Sequence, residues 1–212
     1  MTDLERPSST IDGVRYGAVA RHADARGVFR ELWRASARGA SAPPASATGA
    51  SAPPASATSA SAPPTSTTLD PFVQANLSTS NPGVLRGLHL HRRQQDHWLV
   101  TAGRAFVALV DVRPMLADPD GGSPIVETRE LAEDEWVDIP TGVAHGFLAL
   151  TALELIYFVT NEYDGSDELG FAWDDPQVSV PWPELGEALV LSERDRTNPR
   201  LAELVARLQA AG

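Results

Sequence analysis

Gly83-Val84-Leu85-Arg86-Gly87-Leu88-His89-Leu90-His91 sets two imidazoles and a guanidinium into an apolar run that reads as a β-strand. Side chains of a strand alternate between faces, so His89 and His91 point one way while Leu88 and Leu90 point the other. Two histidines on one face of a sheet call for a reason. Strict alternation puts Arg86 on the face opposite His89, unless Gly87 marks a bulge that re-aims one of them.

Strand signals crowd around this run. On the N-terminal side, Phe72-Val73-Gln74-Ala75-Asn76-Leu77-Ser78 alternates polar with apolar residues, so that Gln74, Asn76 and Ser78 share a face. On the C-terminal side come Trp98-Leu99-Val100, a turn at Gly103, and residues 104–112, then apolar-rich stretches over 125–131, 135–139, 146–150 and 153–160. Many short strands separated by turn residues predict an all-β sandwich or barrel. Further upstream, a turn at Arg26-Gly27 leads into another short strand containing Val28, Phe29 and Glu31. Only the tail reads as helical: Asn198 is placed to cap, Pro199 suits a first turn, and Leu201, Leu204, Val205 and Leu208 fall at helical spacing.

Composition narrows the function. Residues 35–68 are almost wholly Ala, Ser, Pro, Thr and Gly, with Ser-Ala-Pro-Pro recurring at 41, 51 and 61. This stretch has no large apolar side chains to bury and is expected to be a disordered, partly polyproline insertion within a single domain spanning 1–212. Cysteine is absent, which excludes disulfides and thiol nucleophiles. All 17 basic residues are arginine, so Schiff-base chemistry through lysine is excluded too. A net charge of −11 argues against a nucleic-acid partner, and the lack of any long apolar run against a membrane span; a cytoplasmic protein is the expectation.

Two local patterns bear on the fold. His89-x-His91 is followed by Asp96 and Gly103, and Pro140-x-Gly142-x-x-His145 comes later. Both resemble the signatures of cupin jelly-roll barrels, whose alternate inward positions gather such residues in the interior. A longer set of matches runs in one order along the chain: Arg26-Gly27-x-Phe29-x-Glu31, Gln74-x-Asn76-x-Ser78, Gly83 through His89, Val110 through Arg113, Ile139 through Leu148, Tyr157 through Tyr163, Trp173 through Pro176, Trp182-Pro183 and Leu191-Ser192-x-x-Asp195. This collinear set resembles the dTDP-4-dehydrorhamnose 3,5-epimerases.

The resemblance implies a mainly β cupin jelly roll with a short C-terminal helix, a homodimer, and epimerisation of a dTDP-4-keto-6-deoxyhexose at C3, or at C3 and C5, without cofactor or metal. Inverting a carbon beside a ketone needs a base for the α-proton, a group to stabilise the enolate, and an acid on the other face of the ring. By similarity His89 is the base, Asp195 its partner and Tyr157 the acid. Arg26 and Arg86 are the diphosphate candidates, since planar guanidinium forks suit that task. Glu31, Gln74, Asn76, His145, Tyr163 and Arg194 complete the expected substrate pocket.

Two residues depart from the pattern. Asp96 stands where these epimerases keep a lysine near the keto oxygen, and His91 where a glutamine is usual. A carboxylate in place of that cation opposes enolate formation if it is ionised and points into the site. The same changes leave two other readings open. His89, His91, Asp96 and His145 form a three-histidine, one-acid set of the kind that holds a divalent metal in many cupins. A non-catalytic cupin that binds a nucleotide sugar is the other.

Overall fold

The computed structural model describes residues 8–34, 71–118, 121–163 and 165–210. Residues 35–68, expected to be a disordered insertion, lie outside the described residues. The compact unit that holds the strands is built from the chain up to Leu32 and from Phe72 onward.

Among the described residues twelve strands follow in order: β1 (Arg15–Ala18), β2 (Arg21–Asp24), β3 (Gly27–Arg30), β4 (Gln74–Ser80), β5 (Leu85–Leu90), β6 (Asp96–Ala102), β7 (Arg104–Asp111), β8 (Ile125–Ala132), β9 (Glu135–Ile139), β10 (Val143–Ala149), β11 (Leu153–Val159) and β12 (Leu169–Gly170). Ten of them form two five-stranded sheets, ordered β1-β9-β6-β11-β4 and β12-β5-β10-β7-β8, while β2 and β3 pair as a separate hairpin. Every ladder between these strands is antiparallel. The mainly β jelly-roll architecture expected from the sequence is the one observed.

Alternation along the strands divides the apolar residues between two cores. Trp98 and Val100 on β6, Val107 and Leu109 on β7, Phe147 on β10 and Leu155 on β11 belong to the inner cluster, where the sheets face each other. The opposite-facing residues of the second sheet, among them Leu88, Leu90, Ala108, Val110 and Ala144, pack under Phe171, Leu201, Leu204 and Val205. The last three of these lie on the tail helix, Leu201–Ala210, which covers the outer face of this sheet.

Among the described residues two further helices are present besides the tail. They are α1 (Arg113–Ala117) and α2 (Glu193–Thr197), each five residues long, and the tail helix is α3. Asn198 closes α2, and the Leu201 N–H of α3 donates instead to Asp175 Oδ2 at 2.8 Å. Asp175 is 2% exposed and 26 residues upstream, so the cap expected from Asn198 is supplied by a distant buried carboxylate.

One irregularity decides where the site residues point. His145 of β10 lies opposite His89 of β5, and Phe147 lies opposite Arg86, so three steps on β5 match two on β10. This is a bulge in β5 at Gly87, whose φ of +124° favours glycine. The backbones approach so closely here that a Cβ on Gly87 would lie 2.6 Å from the Gly146 Cα, and one on Gly146 2.8 Å from the Arg86 carbonyl oxygen. The extra residue turns Arg86 to the same face as His89.

Candidate active site

Between the two sheets lies a cavity of about 220 Å³. The second sheet supplies Arg86, His89 and His145; the first supplies Asp96, Trp98, Leu155 and Tyr157. His91, just past β5, and Glu168 and Arg194, from the C-terminal segments, complete one rim.

His89 Nε2 lies 2.7 Å from Asp195 Oδ1. Asp195 is 3% exposed and sits in the first turn of α2, where Ser192 is the N-cap. The Asp195 N–H donates to Ser192 Oγ at 3.1 Å, and that hydroxyl donates to Asp195 Oδ2 at 2.8 Å. Burial pushes the Asp195 pKa up, but hydrogen bonds from His89, Ser192 and the Gly87 backbone, with the charge of His89, bring it to a net value below the ordinary range. Asp195 is therefore an anion that accepts the Nε2 proton and leaves Nδ1 as the nitrogen available to a substrate. Ser192, whose hydroxyl orients the carboxylate, enters the sequence reading only as part of the Leu191-Ser192-x-x-Asp195 match and without a role, although its Ser-x-x-Asp spacing before a short helix is a capping signal.

Tyr157 faces the same cavity from β11 in the opposing sheet. Burial raises its pKa, the negative charges of Asp96 and Glu168 raise it further, and Arg86 pulls the other way. The phenol is thus held as a proton donor. Arg86 reaches the cavity mouth, with its Nε donating to Ser80 Oγ at 3.2 Å.

His91, Asp96 and His145 form a second group. All three are buried, and one ligand-capable atom from each lies within 4.8 Å of the others. His89, the fourth member of the metal set read from the sequence, is turned to Asp195 and is not among them. Burial, reinforced by His91 and His89, holds the His145 pKa well below the ordinary histidine value, so its ring is neutral. At Asp96, burial pushes the pKa up and Glu168 adds to it; His91, the Gln94 amide and the Trp98 indole oppose this, but the net value stays above the ordinary carboxylate range. The loop after β5 is tied down by Asp167, whose carboxylate accepts from the backbone N–H groups of Arg92, Arg93 and Gln94 at 2.9 to 3.3 Å.

The other expected binding residues are dispersed. Arg194 lines the cavity but pairs with Glu168 at 2.7 Å. Gln74 and Asn76 bond to each other on β4 at 3.0 Å, outside the cavity lining, whereas Ser78 on the same face reaches it. Tyr163 is 71% exposed and borders a small adjoining crevice. Arg26 sits on the β2–β3 turn with its side chain 90% exposed and paired to Asp24, and neither it nor Glu31 lines the cavity. Glu168, Gln94 and Trp98, which do line it, were not singled out from the sequence: an isolated acid, amide and indole in loops or strands carry no pattern of their own.

A sequence profile of dTDP-4-dehydrorhamnose 3,5-epimerase matches residues 58–203. The chain belongs to this family. Among relatives of this epimerase family member, the spore coat polysaccharide biosynthesis protein SpsL of Bacillus subtilis is 32% identical over 178 residues, covering 81% of this chain and 96% of SpsL. The dTDP-4-dehydrorhamnose 3,5-epimerase of Pseudomonas aeruginosa is 38% identical over 135 residues, 62% of this chain and 73% of that protein. Among solved structures, dTDP-6-deoxy-D-glucose-3,5-epimerase from Legionella pneumophila, in complex with dTDP-4-keto-L-rhamnose, superposes with a TM-score of 0.68 at 30% identity, covering 93% of this epimerase and 94% of that chain.

Proposed function

We propose that the protein epimerises a dTDP-4-keto-6-deoxyhexose by removing a proton beside the C4 ketone and returning one to the opposite face, in deoxysugar biosynthesis. The observation that carries this reading is one cavity with the His89–Asp195 pair on one sheet side and Tyr157 on the other. His89 Nδ1 takes the α-proton, and the imidazolium formed is stabilised by the Asp195 carboxylate through Nε2. Tyr157, kept protonated by burial, delivers a proton from the far side of the ring. The related P. aeruginosa epimerase and the ligand in the Legionella complex support this substrate class.

Arg86 at the mouth suits the diphosphate, since a guanidinium fork matches phosphate oxygens. Arg26 and Glu31 lie outside the cavity of their own chain, and Phe29 between them is 66% exposed. A homodimer in which the β2–β3 hairpin reaches a second copy accounts for these three residues together. Edge strand β4 and the residue before it supply further apolar surface for such an interface, with Leu77 60% and Val73 52% exposed. Sedimentation at micromolar concentration tests the dimer, a monomer being the contrary result. No described helix is long and apolar enough to cross a membrane, and the cysteine-free sequence suits work in the cytoplasm.

Incubation with a dTDP-4-keto-6-deoxyhexose in deuterated water tests the activity. Deuterium entering at C3, with or without C5, supports the reading. Binding of the nucleotide sugar with no incorporation at high protein concentration would leave only a binding role.

A further inference from the structure

Asp96 stands where the resemblance to the epimerases implies a lysine beside the keto oxygen, and the chain has no lysine at all. A buried carboxylate facing that oxygen works against the reaction unless a cation accompanies it. Among the described residues no arginine pairs with Asp96; its side-chain partners are the Gln94 amide, at 3.2 and 3.4 Å, and the Trp98 indole, with the His91 imidazole close by. Asp96 is 4% exposed, His91 6% and His145 4%, so water cannot supply the missing solvation freely.

The two histidines are arranged as ligands are. Each Nδ1 meets a backbone carbonyl: His91 that of Asp167 at 2.8 Å, His145 that of Val143 at 3.1 Å. A carbonyl oxygen only accepts, so both Nδ1 atoms carry a proton, and in the neutral form of each ring Nε2 is the nitrogen that presents a lone pair. Carbonyl-oriented imidazoles of this tautomer are the usual outer support of metal-bound histidine. Ligands 2.0–2.2 Å from an ion stand about 3–3.5 Å apart, and one ligand-capable atom from each of the three residues already lies within 4.8 Å of the others, so small side-chain rotations close the remaining gap.

We propose that His91, Asp96 and His145 bind one divalent first-row transition ion, with His89 left out as the base. The donor set of two imidazoles and one carboxylate, with no cysteine in the chain, fits Mn, Fe, Co, Ni or Zn rather than a thiophilic ion. When bound, such an ion supplies Lewis-acid stabilisation of negative charge on the substrate's keto oxygen. The catalytic use of the ion rests on the epimerase reading; the binding site does not. This proposal departs from the sequence expectation of a metal-free pocket while keeping His89, Tyr157 and Asp195 in their roles.

The test is titration of chelator-treated protein with Co²⁺, followed by visible absorption and calorimetry. Expected are one equivalent per chain for wild type and for His89→Asn, and at least about 100-fold weaker binding for His91→Gln and Asp96→Asn. Because such variants can misfold, Mn²⁺ added to wild type provides a second measurement. It should broaden the imidazole signals of His91 and His145 at substoichiometric amounts and leave His22 sharp. No binding by wild type, loss of binding in His89→Asn, or broadening without preference for His91 and His145 overturns the site. Deuterium exchange is read on the same samples. Exchange without metal binding sinks the metal site alone, and metal binding without exchange on any dTDP-4-keto sugar sinks the epimerase reading alone.

Discussion

Asp195→Asn removes one charge and leaves the shape of the side chain. In the native protein Asp195 accepts from His89 Nε2 at 2.7 Å and from Ser192 Oγ at 2.8 Å, with the Gly87 backbone also contributing. An asparagine has one acceptor oxygen for these donors. If that oxygen stays on His89, its NH₂ must face Ser192 and Gly87. If it turns, its NH₂ faces Nε2 and forces the proton onto Nδ1, which removes the lone pair that attacks the substrate. A charge-assisted hydrogen bond contributes about 1.5–3 kcal/mol. The Coulomb attraction between imidazolium and carboxylate about 4 Å apart reaches about 4 kcal/mol at an effective dielectric of 20. At about 1.4 kcal/mol per tenfold, Asp195→Asn should lower kcat for deuterium exchange by roughly 10²–10³ while KM stays within about threefold. The assay is the initial rate of C3 and C5 deuteration followed by NMR. A variant exchanging within about threefold of wild type would refute the pairing as a catalytic device.

Tyr157→Phe should retain at least a tenth of the exchange rate yet lose most net inversion, because proton removal belongs to His89 and return to Tyr157; product analysis beside deuterium counting checks this, and equal loss of both contradicts it. Gly146→Ala should cost about 1–3 kcal/mol by overpacking, since its Cβ would lie 2.8 Å from the Arg86 carbonyl oxygen, and should also slow exchange by displacing His89; urea unfolding and the exchange rate measure the two effects. Asp138 accepts from His97 Nδ1 and from Arg15, each at 2.7 Å. Burial pushes its pKa up, but these partners bring it to a net value below normal. Its contribution is therefore present above the unfolded carboxylate value of about 3.9 and lost as pH falls through the lower folded value. Asp138→Asn should be less stable than wild type at pH 7, with the gap closing below about pH 4; urea midpoints across pH check it.

Elements with strong alternation are legible in the sequence itself. β4 through β11 are all present within a few residues of the stretches that predict them, because each carries either an alternating pattern, as β4 does, or a short continuous apolar run bounded by turn residues, as β7 and β10 do. The edge strands β1 and β12 are not legible in this way, being four and two residues long with too few side chains to show a period. Helix α2 escapes for the same reason, and the true cap of α3 is a long-range contact that no local pattern announces. At the site, Gly87 announces the bulge, and the bulge explains why Arg86 and His89 share a cavity. The His89–Asp195 pair spans 106 residues, so it is reachable from the sequence only through the resemblance. Spacing alone also groups His89 with His91, Asp96 and His145. Only the three-dimensional placement separates the first from the other three, since the hydrogen bond to Asp195 takes one nitrogen and fixes the ring.

The central claim is that His89 exchanges a proton on carbon beside the ketone of a dTDP-4-keto-6-deoxyhexose. Carbon-by-carbon deuterium incorporation by wild type and His89→Asn tests it most directly. Incorporation at C3, or at C3 and C5, by wild type, falling at least about 10³-fold in the variant, is the predicted result. Incorporation by His89→Asn at the wild-type rate, or none by wild type while the nucleotide sugar is bound, would contradict it.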